Sequence, residues 1–491
     1  MIDKKEKTDI LLKKIKGIVS DSITKHNFEK ALAAISFIGN YLYQYNQFYV
    51  EDELEGYLSN ISDCLKDIYK VNKYFETSQN IIFYDGFGLD TRGVALMYLN
   101  ALGLNNYHVI YVTNKKVQYK IPTIRNMCDK YHFEIQYIDM NNYMEWAKQL
   151  CSVFNKYKPR AAFFYTMPND VSGIVAFHMF DGIVDRYLID LTDHAFWLGK
   201  SAVNYFLGSR NMSASLQFYH RGISKSQMIK LGVNLIVEEV FDHSGLPFDP
   251  QKTNYIFSGG ALYKTLGDPD NTYYKIVDHI LSTDKNIKFL YAGSGDGSEL
   301  NKIVEKYQGR AYHISERKDF YYLISNCKFY LNTYPIFGGM MMKYCGLAHK
   351  LPITLKHGHD SDGLLLHQSE CQIEYSTYDE LIEDVDRLLT DDNYRRTREK
   401  LLDGSVITED RFKKNIYGVI ENHETDYEHE YKEIDTSTFR EEYYERFNYD
   451  EEMLDMVKAI NISLLSDFPQ IFIKGLFIKS ARKIKSKIGV E

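Results

Sequence analysis

Proline, cysteine and tryptophan are scarce in this 491-residue sequence, with 9, 6 and 2 copies. The six cysteines show no C-x-x-C spacing, so neither a zinc finger nor a disulfide framework is expected, and reduced thiols of a cytoplasmic protein are predicted. Basic residues are in the minority, 59 against 67 acidic ones, which argues against a surface built for nucleic acid. The sequence has neither a run of about 18 uncharged apolar residues nor a secretory signal pattern at its start. A membrane-spanning helix is therefore not predicted.

The first 75 residues are predicted to be helical. Residues 28–43 place apolar side chains at the i, i+3, i+4 and i+7 spacing of a buried helical stripe, and residues 52–69 repeat that spacing. The sequence therefore predicts a helical hairpin as an N-terminal extension over 1–75.

From residue 80 onward, short apolar strands alternate with helices such as 93–102 and 144–156. This alternation is typical of a doubly wound parallel α/β domain. It occurs twice, with a linker at 240–253 between the two series. The predicted strands are 80–85, 107–113, 133–138, 161–165 and 187–191, followed by 254–258, 288–292, 310–314, 329–332 and 351–355. We expect two Rossmann-like α/β domains, 76–245 and 246–408, with their strand carboxyl ends around one cleft.

Glycine turns follow consecutive strands of the second series. Ser258-Gly259-Gly260 ends one strand with Lys264 four residues further on, and Gly293-Ser294-Gly295 ends the next. Such turns let backbone N–H groups approach a phosphate, and a lysine adds charge. His313, Ile314 and Arg317 follow the third strand, and Gly338-Gly339-Met340 opens a later helix. Since open α/β sheets bind ligands at their carboxyl strand ends, these segments predict a phosphorylated ligand.

These segments together resemble the donor half of GT-B glycosyltransferases, over about residues 80–405. The likeness is to bacterial enzymes of polysaccharide or glycan assembly, and in part to the O-GlcNAc transferase type. It implies a nucleotide-sugar donor, UDP-linked, as substrate and neither cofactor nor metal. It implies that Ser258, Gly259 and Lys264 face the diphosphate, that the His313-Ile314 backbone holds the base, and that residues 338–340 cap the phosphates. Many members carry an acidic residue on that last helix, but residues 340–348 contain none, which disfavours a retaining mechanism of the two-glutamate type.

The first series supplies the acceptor side in this interpretation. Gly86, Gly88 and Arg92 form a first turn whose spacing differs from the dinucleotide fingerprint, so a dehydrogenase is disfavoured. The two glycines are assigned to the acceptor side, with a purely turn-shaping role as the alternative.

A second acceptor-side feature is the loop after the fifth strand, which contains Asp193, His194 and Trp197. His194 suits proton removal near neutrality, and Asp193 would orient its ring. The loop resembles the acceptor-side loop of the same transferases, and a structural histidine is the alternative. Arg221 is predicted to neutralise phosphate by a bidentate contact.

Two further segments contain residue types that can bind ligands. The loop 357–362 contains His357, His359, Asp360 and Asp362, but a single loop does not supply the converging oxygens that a hard cation needs, so no metal is predicted. The region 409–491 is predicted to be helical. Its end, 468–488, mixes apolar and basic residues and favours an interfacial helix on an anionic membrane surface. Packing on the first domain and docking of a protein partner are the alternatives.

The sequence thus predicts a metal-independent bacterial glycosyltransferase that acts on a glycan, lipid-linked or protein acceptor, in the cytoplasm or on the inner leaflet. A catalytically silent GT-B subunit that stabilises an active transferase is the first alternative. A nucleotide-sugar 2-epimerase is the second.

Overall fold

A computed structural model describes residues 3–73, 75, 78–90, 93–237, 240–356, 365–449, 452–453, 462–470 and 473. The chain forms two compact units. Unit 1 comprises residues 1–208, 213–231 and 413–491, and unit 2 comprises 209–212 and 232–412. The chain therefore passes between the units at 208/209, 212/213, 231/232 and 412/413. The predicted domains end after 245 and after 408.

Three helices open unit 1: α1 (Lys4–Thr24), α2 (Phe28–Tyr45) and α3 (Asp52–Ile68). α2 is apolar on nearly all sides and is buried around most of its circumference, as expected for a helix inside a core. The Asn27 side chain accepts a hydrogen bond from Lys30 N at its start, and Asn46 ends it in the left-handed conformation. These helices share one hydrophobic core with the sheet, so the predicted N-terminal extension packs within unit 1.

The sheet of unit 1 has seven strands, all parallel, in the order β3-β2-β1-β4-β5-β6-β7. Its strands are β1 (Asn80–Asp85), β2 (His108–Asn114), β3 (Glu134–Ile138), β4 (Ala161–Tyr165), β5 (Asp185–Ile189), β6 (Tyr205–Gly208) and β7 (Met228–Lys230). The helices are α4 (Gly93–Leu104), α5 (Pro122–Tyr131), α6 (Tyr143–Tyr157), α7 (Val171–Met179) and α8 (Asn211–Arg221). The five predicted strands are present, and the short β6 and β7 extend the sheet beyond them.

Unit 2 contains a second parallel sheet in the order β10-β9-β8-β11-β12-β13. Its strands are β8 (Tyr255–Gly259), β9 (Lys288–Ala292), β10 (Ala311–Ile314), β11 (Tyr330–Leu331), β12 (Pro352–Leu355) and β13 (Glu374–Tyr375). The helices are α9 (Thr272–Thr283), α10 (Ser298–Lys306), α11 (Phe320–Asn326), α12 (Gly339–Leu347), α13 (Tyr378–Thr390) and α14 (Asp392–Lys400). Hydrophobic clusters on both faces of the sheet make it a doubly wound layer, which confirms the predicted fold class.

The chain returns to unit 1 through α15 (Glu409–Asn422), and α16 (Ser437–Arg446) follows. Phe468, the first residue of the predicted interfacial segment, is buried against Phe37 of α2 with ring centroids 5.4 Å apart. The preceding residue, Asp467, forms an ion pair with Lys30, in which Oδ2 and Nζ are 2.7 Å apart. Residues 471, 472 and 474–491 lie outside the described residues, so the membrane surface stays a prediction. Among the helices of the described ranges, none has the length and apolar character needed to cross a bilayer.

Candidate functional site

The carboxyl ends of the unit 2 strands lie along one edge of the sheet because all six strands are parallel. Backbone hydrogen bonds connect the first three ends directly. Gly260 N donates to Ala292 O at 3.0 Å, and Gly293 N donates to Ile314 O at 3.0 Å. The predicted turns after β8, β9 and β10 are therefore neighbours in space, at the edge where α/β proteins bind ligands.

The close approach of the first two turns requires glycine. A Cβ atom on Gly293 would lie 1.9 Å from the carbonyl oxygen of Gly260, a distance that no side chain tolerates. Gly260 and Gly295 have φ values of 134° and 123°, which L side chains rarely adopt. No side chain projects from these three positions, so a ligand can approach the main chain there.

Lys264 lies just beyond the first turn. Its side chain is half-buried, and burial lowers the pKa of its ammonium group. Among the described residues it has no hydrogen-bond or ion-pair partner. Its carbonyl oxygen accepts a hydrogen bond from Ile336 N at 3.2 Å, which holds the loop that leads into α12. The structure therefore brings an unpaired cation beside the start of that helix.

The N-terminus of α12 lies after the loop that Lys264 holds. Gly338 is the N-cap residue, and no side chain of the described residues caps the helix. The Asn332 side chain fixes the approach to the helix, because its Oδ1 accepts hydrogen bonds from Thr333 N at 3.0 Å and Gly338 N at 2.9 Å. Gly339 begins the helix, and Met340 is exposed on its first turn. The first N–H groups of a helix attract anions when nothing else satisfies them.

Two predicted ligand residues of unit 2 have other partners. Ser258 is fully buried, and its Oγ accepts a hydrogen bond from Tyr273 OH at 2.6 Å. Arg317 donates two hydrogen bonds to Asp319, at 2.6 and 2.8 Å, and the carboxylate also contacts His243 Nδ1 at 3.0 Å. Both side chains therefore have roles within the unit, and the strand pattern could not reveal those partners.

The remaining predicted residues lie at the edge itself. His313 Nε2 lies 3.1 Å from Gly293 O, so the imidazole bridges two neighbouring strand ends. Ser294 is exposed and donates to Glu316 Oε1 at 2.8 Å. The Ile314 carbonyl already accepts Gly293 N, as described above. The predicted contact of the His313-Ile314 main chain with a base stays a prediction.

In unit 1, the loop after β5 carries Asp193 and His194. His194 Nδ1 lies 3.3 Å from Asp193 Oδ1, and the His194 side chain is 33% exposed. Asn46, at the end of α2, clamps the loop with two hydrogen bonds: its Nδ2 donates to His194 O at 3.1 Å, and its Oδ1 accepts from Phe196 N at 3.0 Å. When Nδ1 carries the proton and donates to Asp193, Nε2 is free to accept one.

Arg221 and Trp197 are interior residues. Arg221 is 2% exposed and donates to the carbonyl oxygens of Tyr49 at 3.3 Å, of Asp193 at 3.1 Å and of Ala195. Its guanidinium lies 4.9 Å from the centre of the Tyr49 ring and 5.0 Å from that of Trp197. Burial lowers the pKa of Arg221 to about 10. The Arg221 side chain supports the 193–197 loop through these hydrogen bonds, and Trp197 is a buried residue of that loop. The predicted phosphate contact of Arg221 and the predicted acceptor contact of Trp197 therefore do not fit their positions.

The first turn of unit 1 is explained by its own packing. A Cβ atom on Gly86 would lie 1.9 Å from Thr166 Oγ1, and Gly88 has a φ of 58°. Asp85 Oδ1 accepts hydrogen bonds from Phe87 N at 2.9 Å and Gly88 N at 2.8 Å. These observations favour the turn-shaping alternative for both glycines. Arg92 lies outside the described residues.

No cluster of three or more histidine, cysteine or carboxylate side chains suited to a metal occurs in the part of the chain that the structure describes. The loop with His357, His359, Asp360 and Asp362 belongs to residues 357–364, which are not among the described ones. Lys343, a buried lysine of α12, is not among the site residues predicted from the sequence. The available signal was a single lysine among the apolar residues 340–348.

No known family model matches the chain, and no curated protein matches it. Among solved structures, a glycosyltransferase from Rickettsia africae is 11% identical with a TM-score of 0.53, over 72% of this chain and 100% of that one. A Thermobaculum terrenum O-GlcNAc transferase mutant is 13% identical with a TM-score of 0.51, over 88% of this chain and 82% of that one. Anabaena HepE in complex with UDP and glucose is 11% identical with a TM-score of 0.51, over 70% of this chain and 99% of that one. At these identities the likeness shows the fold, which is GT-B as predicted.

Proposed function

We propose that this chain is a glycosyltransferase that moves a sugar from a UDP-linked donor to a glycan, lipid-linked or protein acceptor. The observation that carries the proposal is the open edge of unit 2. There, an unpaired lysine, two glycine turns and an uncapped helix N-terminus lie together. Two proteins of similar fold support a uridine nucleotide as the ligand, since HepE was solved with UDP and glucose and a Staphylococcus aureus protein, MnaA, was solved with UDP.

In this proposal, unit 2 stabilises the leaving diphosphate. Lys264 supplies a positive charge in a partly desolvated position, where a charge acts more strongly than it does in water. The N–H groups at the start of α12 add fixed dipoles of the same sign. The arrangement needs no metal ion to offset the leaving-group charge, so we expect turnover to persist in EDTA.

Unit 1 supplies the acceptor side. His194 would accept the proton of the acceptor hydroxyl at Nε2, while Asp193 holds Nδ1–H and stabilises the imidazolium that forms. The clamp by Asn46 and the support from Arg221 fix the backbone of this loop. Because the loop is already held in one conformation, His194 needs little further ordering before it accepts the proton.

Lys264→Met tests the donor half of the proposal. We expect the wild-type protein to release UDP from one of a panel of sugar nucleotides and to bind UDP by calorimetry. The variant should bind UDP about 10- to 100-fold more weakly, because charge-assisted hydrogen bonds contribute about 1.5–3 kcal/mol. Lys275→Met, at an exposed lysine of the same unit, is the matched control. Equal UDP affinity in the wild type and Lys264→Met would contradict the donor site.

A catalytically silent subunit that stabilises an active transferase is the second candidate. The observation in its favour is that α12 has no carboxylate and buries a lysine instead. In that case the chain should copurify with an active transferase and fail to bind UDP alone. Location on the inner leaflet through 468–488 and a role in surface polysaccharide synthesis belong to the first proposal.

A further inference from the structure

Lys343 is a buried lysine in the middle of α12. It is 7% exposed, and its neighbours Met342, Tyr344 and Cys345 are buried as well. Lysine is almost never buried to this degree unless an anion or a hydrogen-bond acceptor pairs with it. An anion or a hydrogen-bond acceptor is therefore expected beside the ammonium group of Lys343.

The described residues provide no such partner. Lys343 has no hydrogen bond or ion pair with any of these residues. The charged group that acts on it is the guanidinium of Arg210, whose charge is positive like that of the lysine. Burial, followed by this repulsion, lowers the pKa of Lys343 to about 7. A second unsatisfied group lies near the next turn of the helix. Ser405 Oγ is buried without a partner, 2.9 Å from where a Cβ atom on Gly346 would be.

The direction of the lysine side chain follows from helix geometry. Side chains on an α-helix tilt toward its N-terminus, so the side chain of Lys343 extends toward Gly339 and Met340, one turn earlier. This first turn is the uncapped one, and the loop before it is held by the carbonyl oxygen of Lys264. An unpaired buried cation and unsatisfied N–H groups thus belong to the same end of the same helix.

We propose that Lys343 and the N-terminus of α12 together bind a phosphate group of a nucleoside diphosphate, so that Lys343 is a second ligand-binding cation beside Lys264. This inference rests on the proposed function, because it assigns a further contact in the same donor site. The anion supplies the partner that the protein itself does not.

Proton uptake follows from this arrangement. Near pH 8 the free protein carries Lys343 largely uncharged, since its pKa is about 7. A bound phosphate favours the ammonium form and raises that pKa, so the complex gains about one proton. Arg210 opposes the charged form both before and after binding, and no described carboxylate faces the lysine. The affinity for UDP should therefore rise as the pH falls from 9 toward 7.

Calorimetry of UDP binding at pH 8, in two buffers of different ionisation enthalpy, tests the inference. We expect Lys343→Met to bind UDP about 10- to 100-fold more weakly than the wild type and to take up about one proton fewer. Uridine, which has no phosphate, should bind both proteins equally. The control Lys302→Met removes an exposed lysine that pairs with Glu299 on α10, and it should behave as the wild type does.

Two further measurements keep the inference open to refutation. Lys343→Met should raise the melting temperature of the free protein at pH 6, because it removes an uncompensated buried charge, and this shows that the variant is folded. Lys343→Arg should retain UDP binding and lose the proton uptake, since arginine stays charged. Wild-type affinity and wild-type proton uptake in Lys343→Met would overturn the inference.

The outcome for the wild type separates this inference from the proposed function. If the wild type binds pyrophosphate with proton uptake but does not bind UDP, the nucleotide assignment fails and the Lys343 anion site stands. If it binds UDP and Lys343→Met is unaffected, the nucleotide assignment stands and the Lys343 site fails. If it binds neither probe, both fail.

Discussion

Replacing Arg221 by methionine tests whether this arginine supports the structure of unit 1 or binds a phosphate. The guanidinium is the main support of the loop that carries His194, and it donates to three carbonyl oxygens in the interior of unit 1. Each buried carbonyl left without its donor costs about 1–3 kcal/mol, and neighbouring losses add incompletely. We therefore expect the free energy of unfolding to fall by about 3–5 kcal/mol, the range seen when one partner of a buried charged network is removed.

The loss should depend on pH. Burial and repulsion by Asp193 raise the pKa of Asp190, while the charge of Arg221 lowers it. Without Arg221 the folded-state pKa of Asp190 rises further above its unfolded value of about 3.9. A carboxyl group whose pKa is higher in the folded than in the unfolded state destabilises the folded state increasingly as the pH rises from the unfolded-state pKa to the folded-state pKa. Arg221→Met should therefore be more destabilised at pH 8 than at pH 4.5.

Denaturant unfolding followed by circular dichroism at both pH values provides the measurement. The matched control is Arg125→Met, at an exposed arginine of α5 with a single hydrogen bond to Gln118 O. Such a surface change should stay within about 0.5 kcal/mol. If Arg221→Met were as stable as the control and bound UDP more weakly, Arg221 would be a phosphate ligand and the structural account would be refuted.

Two other substitutions test the edge of unit 2 and the loop of unit 1. Gly293→Ala should lower the free energy of unfolding by at least about 2 kcal/mol, because its methyl group overlaps the Gly260 carbonyl. Gly17→Ala, at an open helical position, should raise that free energy by about 0.5–1 kcal/mol, and equal effects at the two glycines would contradict the close-approach argument. His194→Ala should keep the UDP affinity and lower the transfer rate about 10²–10⁴-fold. A wild-type rate in that variant would remove His194 from the mechanism.

The long strands and helices could be predicted from the sequence because their signals are local. An apolar run such as 161–165 between helical stretches defines a buried parallel strand, whatever packs against it. The strands β6, β7 and β13, with 4, 3 and 2 residues, are too short to show a periodic pattern. They become strands only because a neighbouring strand offers hydrogen bonds.

The meeting of the glycine turns at one edge of unit 2 was predictable for the same reason. Glycines directly after a strand mark the strand end, and the parallel topology brings such ends together without further information. Lys264 was identified because it follows the first of these turns. What the sequence could not provide was that Lys264 has no partner among the described residues, since this depends on what every other element brings near it.

Arg221 and Lys343 show what only the tertiary structure decided. In sequence, Arg221 is a cation near a predicted site, but its acceptor on Tyr49 is 172 residues away and encloses it in the core. Lys343 is one lysine in an apolar helix, and whether an acid compensates it depends on packing between distant segments. Periodicity belongs to a stretch of chain, whereas the burial and pairing of a charge belong to its surroundings. The sequence alone therefore predicted the fold and the cluster of glycine turns at one sheet edge, and the tertiary structure decided which cations lack a described partner and which support the protein.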